Sequence, residues 1–321
     1  MFRFLAVLVV LALIAGGAWF WEQQNWQAAG PSPAYKVVMV KPGESVATIS
    51  ADLEKSGVIA NADLFRIGLR IRSQQKELKA GEYGFPARAS MADVTGILVS
   101  GKSIEHKLTA AEGLTSQMIY DIVKKDTVLV GDAGPVPEEG TLLPETYLFT
   151  RGTTRKEILD KMHKAQEKLI AAQWPARIGN LPLKTPQEAV ILASIVEKET
   201  GIPEERRHIA AVFENRLRLG MKLQSDPTII YGITKGYPIG RRIRQSEITG
   251  ATPYNTYVIP GLPIGPICNP GKDAILAVLN PEASDDLYFV ANGTGGHVFS
   301  ATMAEHEKNV VNWRKIHNAQ H

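Results

Sequence analysis

An uninterrupted apolar run near the N-terminus constrains this chain more than any other sequence feature. Residues 4–21 carry no charge over 18 positions, with Arg3 before them and Glu22 after them. A helix of this length is about 27 Å long, close to the hydrocarbon thickness of a bilayer. The core helix of a soluble domain is one alternative, but a segment that is apolar on all sides favours a membrane span.

A cleaved signal peptide is the closer alternative to a membrane anchor. Residues 15–18 are small, as a signal peptidase requires, but residues 19–21 are aromatic and Trp26 follows them. This pattern is typical of the aromatic belt at a membrane interface, so we predict an uncleaved single-pass anchor. Arg3 places the N-terminus in the cytoplasm, the remainder of the chain is exported, and residues 27–33 form a linker rich in Gly and Pro.

Composition excludes several classes of function. The 321 residues include 36 Lys and Arg against 33 Asp and Glu, a net charge of +3, whereas proteins that bind nucleic acid through charge carry a concentrated basic excess. The single cysteine, Cys268, has no partner for a disulfide within the chain, and the seven histidines lack the spacing of a zinc site. We therefore predict no nucleic-acid partner, no metal and no cofactor.

The part after the linker is predicted to fold as a small and a large α+β domain. We place the anchor and linker at residues 1–33, the small subdomain at 34–104 and the larger domain at 105–321. In the small subdomain a strand at residues 37–40, a Pro-Gly-Glu-Ser turn, two helices and a returning strand resemble the LysM module. That resemblance implies peptidoglycan binding, although other small α+β domains share this order of elements.

One helix of the large domain has clear start and stop signals. Residues 185–188, Thr-Pro-Gln-Glu, provide an N-cap, a proline for the first turn and the glutamate of a capping box. Gly201 then ends the helix. We predict a helix over residues 186–200 and a second helix over residues 203–219.

Two glutamates near the end of the first of these helices face different ways. Glu197 and Glu199 lie about 200° apart around the axis, and Glu199 follows apolar residues three, four and seven positions earlier. Burial and the negative end of the helix dipole both raise the pKa of such a carboxyl, so Glu199 is the better candidate for a general acid. The alternative is an ion pair between Glu199 and Arg206, Arg207 or Arg216 of the next helix.

Two downstream segments carry side chains suited to holding a sugar. Within residues 221–232 the polar residues Gln224, Asp226 and Thr228 alternate, as on one face of an extended segment, although Asp-Pro-Thr is equally typical of a turn or a helix cap. Residues 252–266 form a Pro- and Gly-rich stretch with two tyrosines, which offers stacking surfaces and amide hydrogen bonds.

Several segments follow one another in a fixed order along the larger domain. They are Glu197-Lys198-Glu199-Thr200, Asn215-Arg216-Leu217, Leu223-Gln224-Ser225-Asp226-Pro227-Thr228-Ile229-Ile230-Tyr231-Gly232, Tyr254-Asn255-Thr256-Tyr257, Gly261-Leu262-Pro263-Ile264-Gly265-Pro266-Ile267, Tyr288-Phe289-Val290, Gly296-His297-Val298-Phe299 and His306. Together with the N-terminal run they resemble the endolytic murein transglycosylases of the MltG (YceG-like) family.

The resemblance implies a lyase that acts on peptidoglycan. It implies cleavage of the β-1,4 bond between N-acetylmuramic acid and N-acetylglucosamine within glycan strands, with 1,6-anhydro ends as the product. In that family the catalytic residue is the second glutamate of Glu-Lys-Glu-Thr, so the resemblance implies Glu199, the residue that helical periodicity also selects. The residues expected to bind the substrate are Gln224, Asp226, Thr228, Tyr231, Tyr254 and Asn255.

The same resemblance implies a place in the cell. We expect the inner (cytoplasmic) membrane, with the catalytic domain in the periplasm, peptidoglycan synthases as partners, and a role in ending the elongation of nascent strands. Two other functions stay open. One is a muramidase in which Asp226 assists Glu199 through water, since hydrolytic glycosidases use two carboxyl groups. The other is a wall-binding scaffold without catalysis.

Overall fold

The computed structural model describes residues 2–320, with side chains described for 3–318. The chain forms two compact units, of which the first comprises Met1–His106 and Leu148–Gly152 and the second Lys107–Tyr147 and Thr153–His321. Helices and short paired strands occur in both units. The α+β fold predicted from the sequence is confirmed.

The first unit begins with the apolar segment. Its elements are α1 (Phe2–Gln27), β1 (Lys36–Val40), α2 (Val46–Lys55), α3 (Ala62–Ile71), β2 (Gly81–Phe85) and α4 (Met91–Ser100), and β3 (Glu105–Thr109) follows them. The strand, helix, helix, strand order is the predicted one, with β1 antiparallel to β2 and Ser45 capping α2 through the Thr48 amide at 3.1 Å. The likeness of this unit to LysM stays a prediction.

Helix α1 is long and apolar enough to cross a membrane by length and composition. Its last turns, however, pack into the first unit: Trp26 is 4% exposed and stacks on Phe65 with ring centroids 5.7 Å apart. A Cβ on Gly68 would lie 2.2 Å from the Trp26 ring, so only glycine leaves room for it. The prediction that Trp26 belongs to an interfacial belt is wrong, because the helix continues beyond the apolar run and carries this ring into the core.

The segment after α1 is also more ordered than the linker predicted for residues 27–33. The Gly30 amide donates to the Arg88 carbonyl at 3.1 Å, and the Arg88 amide donates to the Ser32 carbonyl at 2.8 Å. Ser32 is buried. A Cβ on Gly30 would lie 2.2 Å from the Ala89 carbonyl oxygen, which shows how closely this segment packs. Residues 30 and 32 are thus hydrogen-bonded parts of the first unit.

The second unit contains most of the helices. They and its strands are α5 (Ser116–Lys125), β4 (Thr146–Thr150), α6 (Arg155–Gln173), α7 (Pro186–Glu199), a 3₁₀ turn (Pro203–Glu205), α8 (Arg206–Arg218), α9 (Asp226–Thr234), α10 (Gln245–Ile248), α11 (Lys272–Leu279), β5 (Tyr288–Ala291), β6 (His297–Ser300) and α12 (Met303–Gln320). Strands β3 and β4 pair with each other.

Helix α7 is the centre of the second unit. All residues from Ala189 to Val196 are buried, because an apolar surface on every side of a helix needs neighbours on several sides, and α8 and α11 supply them. Thr185 accepts from the Glu188 amide at 3.2 Å, as the sequence predicts. The capping box is incomplete, since the Glu188 carboxylate accepts from the amide of Lys184 instead of Thr185.

Two further elements decide the surroundings of the end of α7. The alternating segment is not extended throughout: Asp-Pro-Thr starts α9, with Asp226 as its first residue and Ser225 at the N-cap position. Strands β5 and β6 form an antiparallel hairpin, with Tyr288 opposite Ser300. Helix α12 then begins with a capping box between Thr302 and Glu305 and packs on both strands.

Candidate active site

Glu199 is the last residue of α7 and opens on a cavity of about 320 Å³. The side chain is half-buried. Residues from five separate parts of the second unit surround the cavity with it. They are Arg216, Leu223, Gln224, Asp226, Tyr257, Phe289 and His306.

The Glu199 carboxyl is held in its less acidic form by its surroundings. Its pKa is raised to about 7: burial and the negative charge of Asp226 raise it, while a hydrogen bond from the Ser225 hydroxyl to Oε1 and the positive charges of His297 and Arg216 lower it. Among residues 2–320 no cation lies within ion-pair distance of this carboxyl. A carboxyl with a pKa near neutrality can both give and take a proton.

The contacts of Arg206 and Arg207 exclude these two arginines as ion-pair partners of Glu199. Arg206 lies 3.9 Å from Glu197 and near Glu112 and Asp273, and Arg207 donates to the Asn280 carbonyl at 2.8 Å. These two arginines line a different and larger cavity of about 470 Å³ in the same unit. Glu197 is therefore the structural member of the glutamate pair.

Arg216 lies at the cavity without pairing with Glu199. Its Nε donates to the Leu287 carbonyl and its Nη1 to the Leu223 carbonyl, both at 2.7 Å. The guanidinium therefore ties the segment before β5 to the segment before α9. Its positive charge still acts on Glu199 at longer range.

Ser225 is fixed by two buried threonines. Its amide donates to Thr256 Oγ1 at 2.9 Å, and Thr228 Oγ1 donates to its carbonyl at 2.6 Å. The two threonine hydroxyls are 2.9 Å apart. Because the Thr228 hydroxyl donates to the Ser225 carbonyl, Thr256 is the donor in the hydrogen bond between the two threonine hydroxyls. The direction of each of these hydroxyl hydrogen bonds is therefore determined. The Ser225 hydroxyl is left to donate to Glu199.

The structure places two of the predicted substrate-binding residues at the cavity. Asp226 is exposed, and its Oδ1 accepts from the Tyr257 hydroxyl at 2.7 Å. Gln224 has a left-handed backbone with φ of 51°, and its amide donates to the Thr256 carbonyl at 3.2 Å. Their contact with a sugar stays a prediction.

The other four predicted residues do not line the cavity. Thr228 is fully buried in the hydroxyl chain, and Asn255, 1% exposed, donates to the carbonyls of residues 247, 248 and 250 at 2.7–3.1 Å. Tyr231 donates to Glu139 at 3.1 Å and packs on Tyr254, with ring centroids 4.8 Å apart. Thr228 and Asn255 have no surface to offer a ligand, and they shape the loops around Ser225 and Tyr257 instead.

Several cavity residues were not among those predicted to bind substrate. Tyr257 belongs to the same Tyr-Asn-Thr-Tyr segment as Asn255, but only the second tyrosine reaches the cavity. Phe289 and His306 come from β5 and α12, about 90 and 107 positions after Glu199. Nothing in local periodicity reports such long-range proximity, and only the order of the family motifs pointed to these segments.

Comparison with known proteins agrees with this layout. The sequence model of the YceG-like family matches residues 38–312, which include every residue at the cavity. The chain belongs to the YceG-like family. A crystal structure of a YceG-like protein from Listeria monocytogenes is similar, with a TM-score of 0.54 at 30% identity over 86% of this chain and 99% of that chain.

Curated YceG-like relatives carry a more specific name. Proteins of two Streptococcus pneumoniae strains named endolytic murein transglycosylase are 31% identical over 360 residues, an alignment that covers 96% of this chain. The chain spans 64% of the length of these relatives. A Bacillus subtilis protein of the same name is 28% identical over 92% of this chain and 90% of its own length.

Proposed function

We propose that this protein is an endolytic transglycosylase of peptidoglycan, a lyase that cleaves the β-1,4 bond between N-acetylmuramic acid and N-acetylglucosamine within a glycan strand. The observation that carries the proposal is the Glu199 carboxyl, which has a pKa of about 7 and opens on a cavity at the end of an apolar helix. The names of the Streptococcus and Bacillus relatives support the substrate class.

The first step uses Glu199 as an acid. With a pKa of about 7, roughly half of the carboxyl is protonated at neutral pH. Glu199 gives its proton to the glycosidic oxygen while the bond from that oxygen to C1 of N-acetylmuramic acid breaks, and the leaving sugar departs with a hydroxyl. Positive charge develops at C1, and the Glu199 and Asp226 carboxylates at the same cavity favour it.

The second step uses the same carboxylate as a base. Glu199 takes the proton of the C6 hydroxyl while the C6 oxygen bonds to C1, which closes the 1,6-anhydro ring and returns Glu199 to its protonated form. No water is consumed, so one carboxyl is sufficient. Ser225 donates to Oε1, which leaves Oε2 to carry the proton in both steps.

Hydrolysis by two carboxyl groups is the second candidate, because Asp226 lines the same cavity. In that mechanism a water attacks C1 and the product carries a reducing end. The Tyr257 hydroxyl donates a hydrogen bond to Oδ1 of Asp226, so only Oδ2 is left to activate a water.

Mass spectrometry of muropeptides from purified sacculi separates these mechanisms. We expect wild-type protein to release 1,6-anhydro products and the Glu199→Gln variant to release none while staying folded. Reducing ends in place of anhydro ends would instead support the muramidase. Unchanged digestion by Glu199→Gln would support a non-catalytic scaffold that binds the wall.

The proposal includes a location. Helix α1 supports a single span in the inner membrane, with Arg3 on the cytoplasmic side and the cavity in the periplasm, where nascent glycan strands and their synthases are found. Cleavage of such strands near the membrane would end their elongation. Protease added to intact spheroplasts tests the orientation: we expect digestion of the second unit, and protection until the cells are lysed would contradict it.

A further inference from the structure

His306 differs from the other side chains at the cavity because one of its nitrogens is buried without a hydrogen-bond partner among the described residues. The residue lies in the first turn of α12 and shares the cavity with Glu199. Its ring stacks on Tyr288, with centroids 5.1 Å apart and planes 23° apart. Nδ1 is buried and forms no hydrogen bond. The ring is therefore held in one position by packing, without a polar contact to fix its protonation.

The surroundings decide the protonation state of the ring. Burial lowers the pKa of His306, and the positive charge of Arg216 lowers it further, while Glu307 acts in the opposite direction. A protonated ring would also bury an N–H at Nδ1 without an acceptor, which costs about 1–3 kcal/mol. His306 is thus a neutral imidazole.

The tautomer follows from the same buried atom. A neutral imidazole has one N–H and one lone pair, and buried N–H groups without an acceptor are rarer in proteins than acceptors without a donor. The proton therefore lies on Nε2, which is the ring nitrogen that is not enclosed by protein. No other described side chain accepts from it, so the N–H is free for a ligand in the cavity.

The other donors at the cavity are already used, charged or loosely held. Nε and Nη1 of Arg216 donate to backbone carbonyls and its Nη2 belongs to a charged guanidinium, and the Tyr257 hydroxyl donates to Asp226. Gln224 has a free amide, but its side chain is exposed and makes no hydrogen bond within residues 2–320. His306 is the donor that is both neutral and fixed in place, and a fixed donor loses less entropy on binding.

We propose that His306 selects N-acetylated sugars by donating its Nε2–H to the acetamido carbonyl oxygen of the sugar bound beside Glu199. An acetamido group offers a neutral carbonyl oxygen next to a methyl group. His306 matches the oxygen, and Phe289 provides an apolar surface at the same cavity for the methyl. This specificity role rests on the proposed function, since it assumes that the cavity takes an amino sugar.

Binding in a variant that cannot cleave tests this role separately from the chemistry. The full chain in detergent micelles, carrying Glu199→Gln, is titrated calorimetrically with the tetramer of N-acetylglucosamine and with the tetramer of glucosamine. His306→Phe keeps an aromatic ring on Tyr288 but removes both nitrogens. We expect it to weaken binding of the acetylated tetramer about tenfold and that of glucosamine less than threefold, as loss of one hydrogen bond predicts.

A matched pair keeps the test decisive if His306→Phe unfolds. Gln places an amide N–H near the position of Nε2, and Met has a similar length and no charge but lacks that donor. We expect His306→Gln to retain the preference for the acetylated tetramer and His306→Met to lose it.

Three results would overturn the inference: equal losses on both tetramers, an unchanged preference in His306→Phe and His306→Met, or no binding of either tetramer. Digestion of sacculi by the wild-type protein, measured in parallel, distinguishes failure of this inference from failure of the proposed function. Anhydro products together with a preference that does not depend on His306 would contradict the inference alone.

Discussion

Two glutamates on neighbouring helices of the second unit, Glu199 half-buried and Glu214 fully buried, show what separates a reactive carboxyl from a structural one. Burial raises the pKa of both, to about 7 for Glu199 and to about 8 for Glu214. Glu214 is fully buried in α8, contacts Arg218 at 3.1 Å and lines none of the described cavities. Glu199 faces a cavity and accepts from a fixed hydroxyl. A carboxyl with a raised pKa can therefore act in catalysis only where a ligand can reach it.

The largest expected effect is on the cleavage rate, and it distinguishes Glu199 from Glu214. Glu199→Gln removes the transferable proton, so we expect release of muropeptides to fall at least 10³-fold, within the range of about 10²–10⁴ for loss of an acid or base. Glu214→Gln is the matched control and is expected to retain most activity. Equal losses in the two variants would mean that the site does not depend on Glu199 in particular.

The next effect is on the free energy of unfolding, and it is expected for Glu214. Its pKa is raised from 4.5 to about 8, so the folded state binds more protons and stability is lost as pH rises from 4.5 through 8. Gln mimics the neutral form and removes this dependence. We expect Glu214→Gln to raise the free energy of unfolding by roughly 3 kcal/mol at pH 7 and by almost nothing at pH 4. Urea titrations at both pH values provide the measurement, and an equal change at both would refute the ionisation argument.

A smaller effect tests the Ser225 hydroxyl, which donates a hydrogen bond to Glu199 and has no counterpart at Glu214. Removal of the Ser225 hydroxyl takes away a hydrogen bond that lowers the pKa of Glu199, so that pKa rises. We expect Ser225→Ala to lower the cleavage rate about tenfold, since one hydrogen bond is lost, and to move the alkaline limb of the pH–rate profile to higher pH. Ser50→Ala, a buried serine of the first unit, is the control and leaves the profile unchanged. A lower rate with an unshifted limb would indicate only a structural role.

The smallest effect concerns the neighbouring charge. Asp226 raises the pKa of Glu199, so Asp226→Asn lowers it and moves the alkaline limb in the opposite direction, to lower pH. For the lyase we expect a shift of less than about one pH unit and a rate within tenfold of wild type. The muramidase would lose its second carboxyl, so a fall of 10² or more in rate would favour hydrolysis.

Local signals in the sequence predicted the position of Glu199. The helix start at Thr185 and the stop at Gly201 bounded α7 to within one residue of its observed end, and helical spacing placed Glu199 on the apolar stripe. Local signals also placed the first strand of the small subdomain at residues 37–40, within one residue of β1 (Lys36–Val40). These features depend on interactions within a few residues, which a sequence displays directly.

The partners of Glu199 were harder to predict because they depend on long-range packing. Period-two alternation assigned Thr228 to a binding face, whereas Asp226 begins α9 and Thr228 is buried in its first turn. Asn255 was expected to hold a sugar, but its amide is used by three loop carbonyls. Polar type alone does not tell a side chain that binds a ligand from one that holds a loop.

The packing of Trp26 against Gly68 has a mechanical consequence. A domain on a flexible tether can rotate freely and sample any height above a membrane. Here the apolar helix continues without a break into the core of the first unit, where Arg72 covers the Trp26 ring at 4.1 Å and pairs with Glu22 at 2.7 Å. If the helix spans a bilayer, it connects the first unit rigidly to the membrane. Each tilt of the span in the lipid then turns the first unit by the same angle.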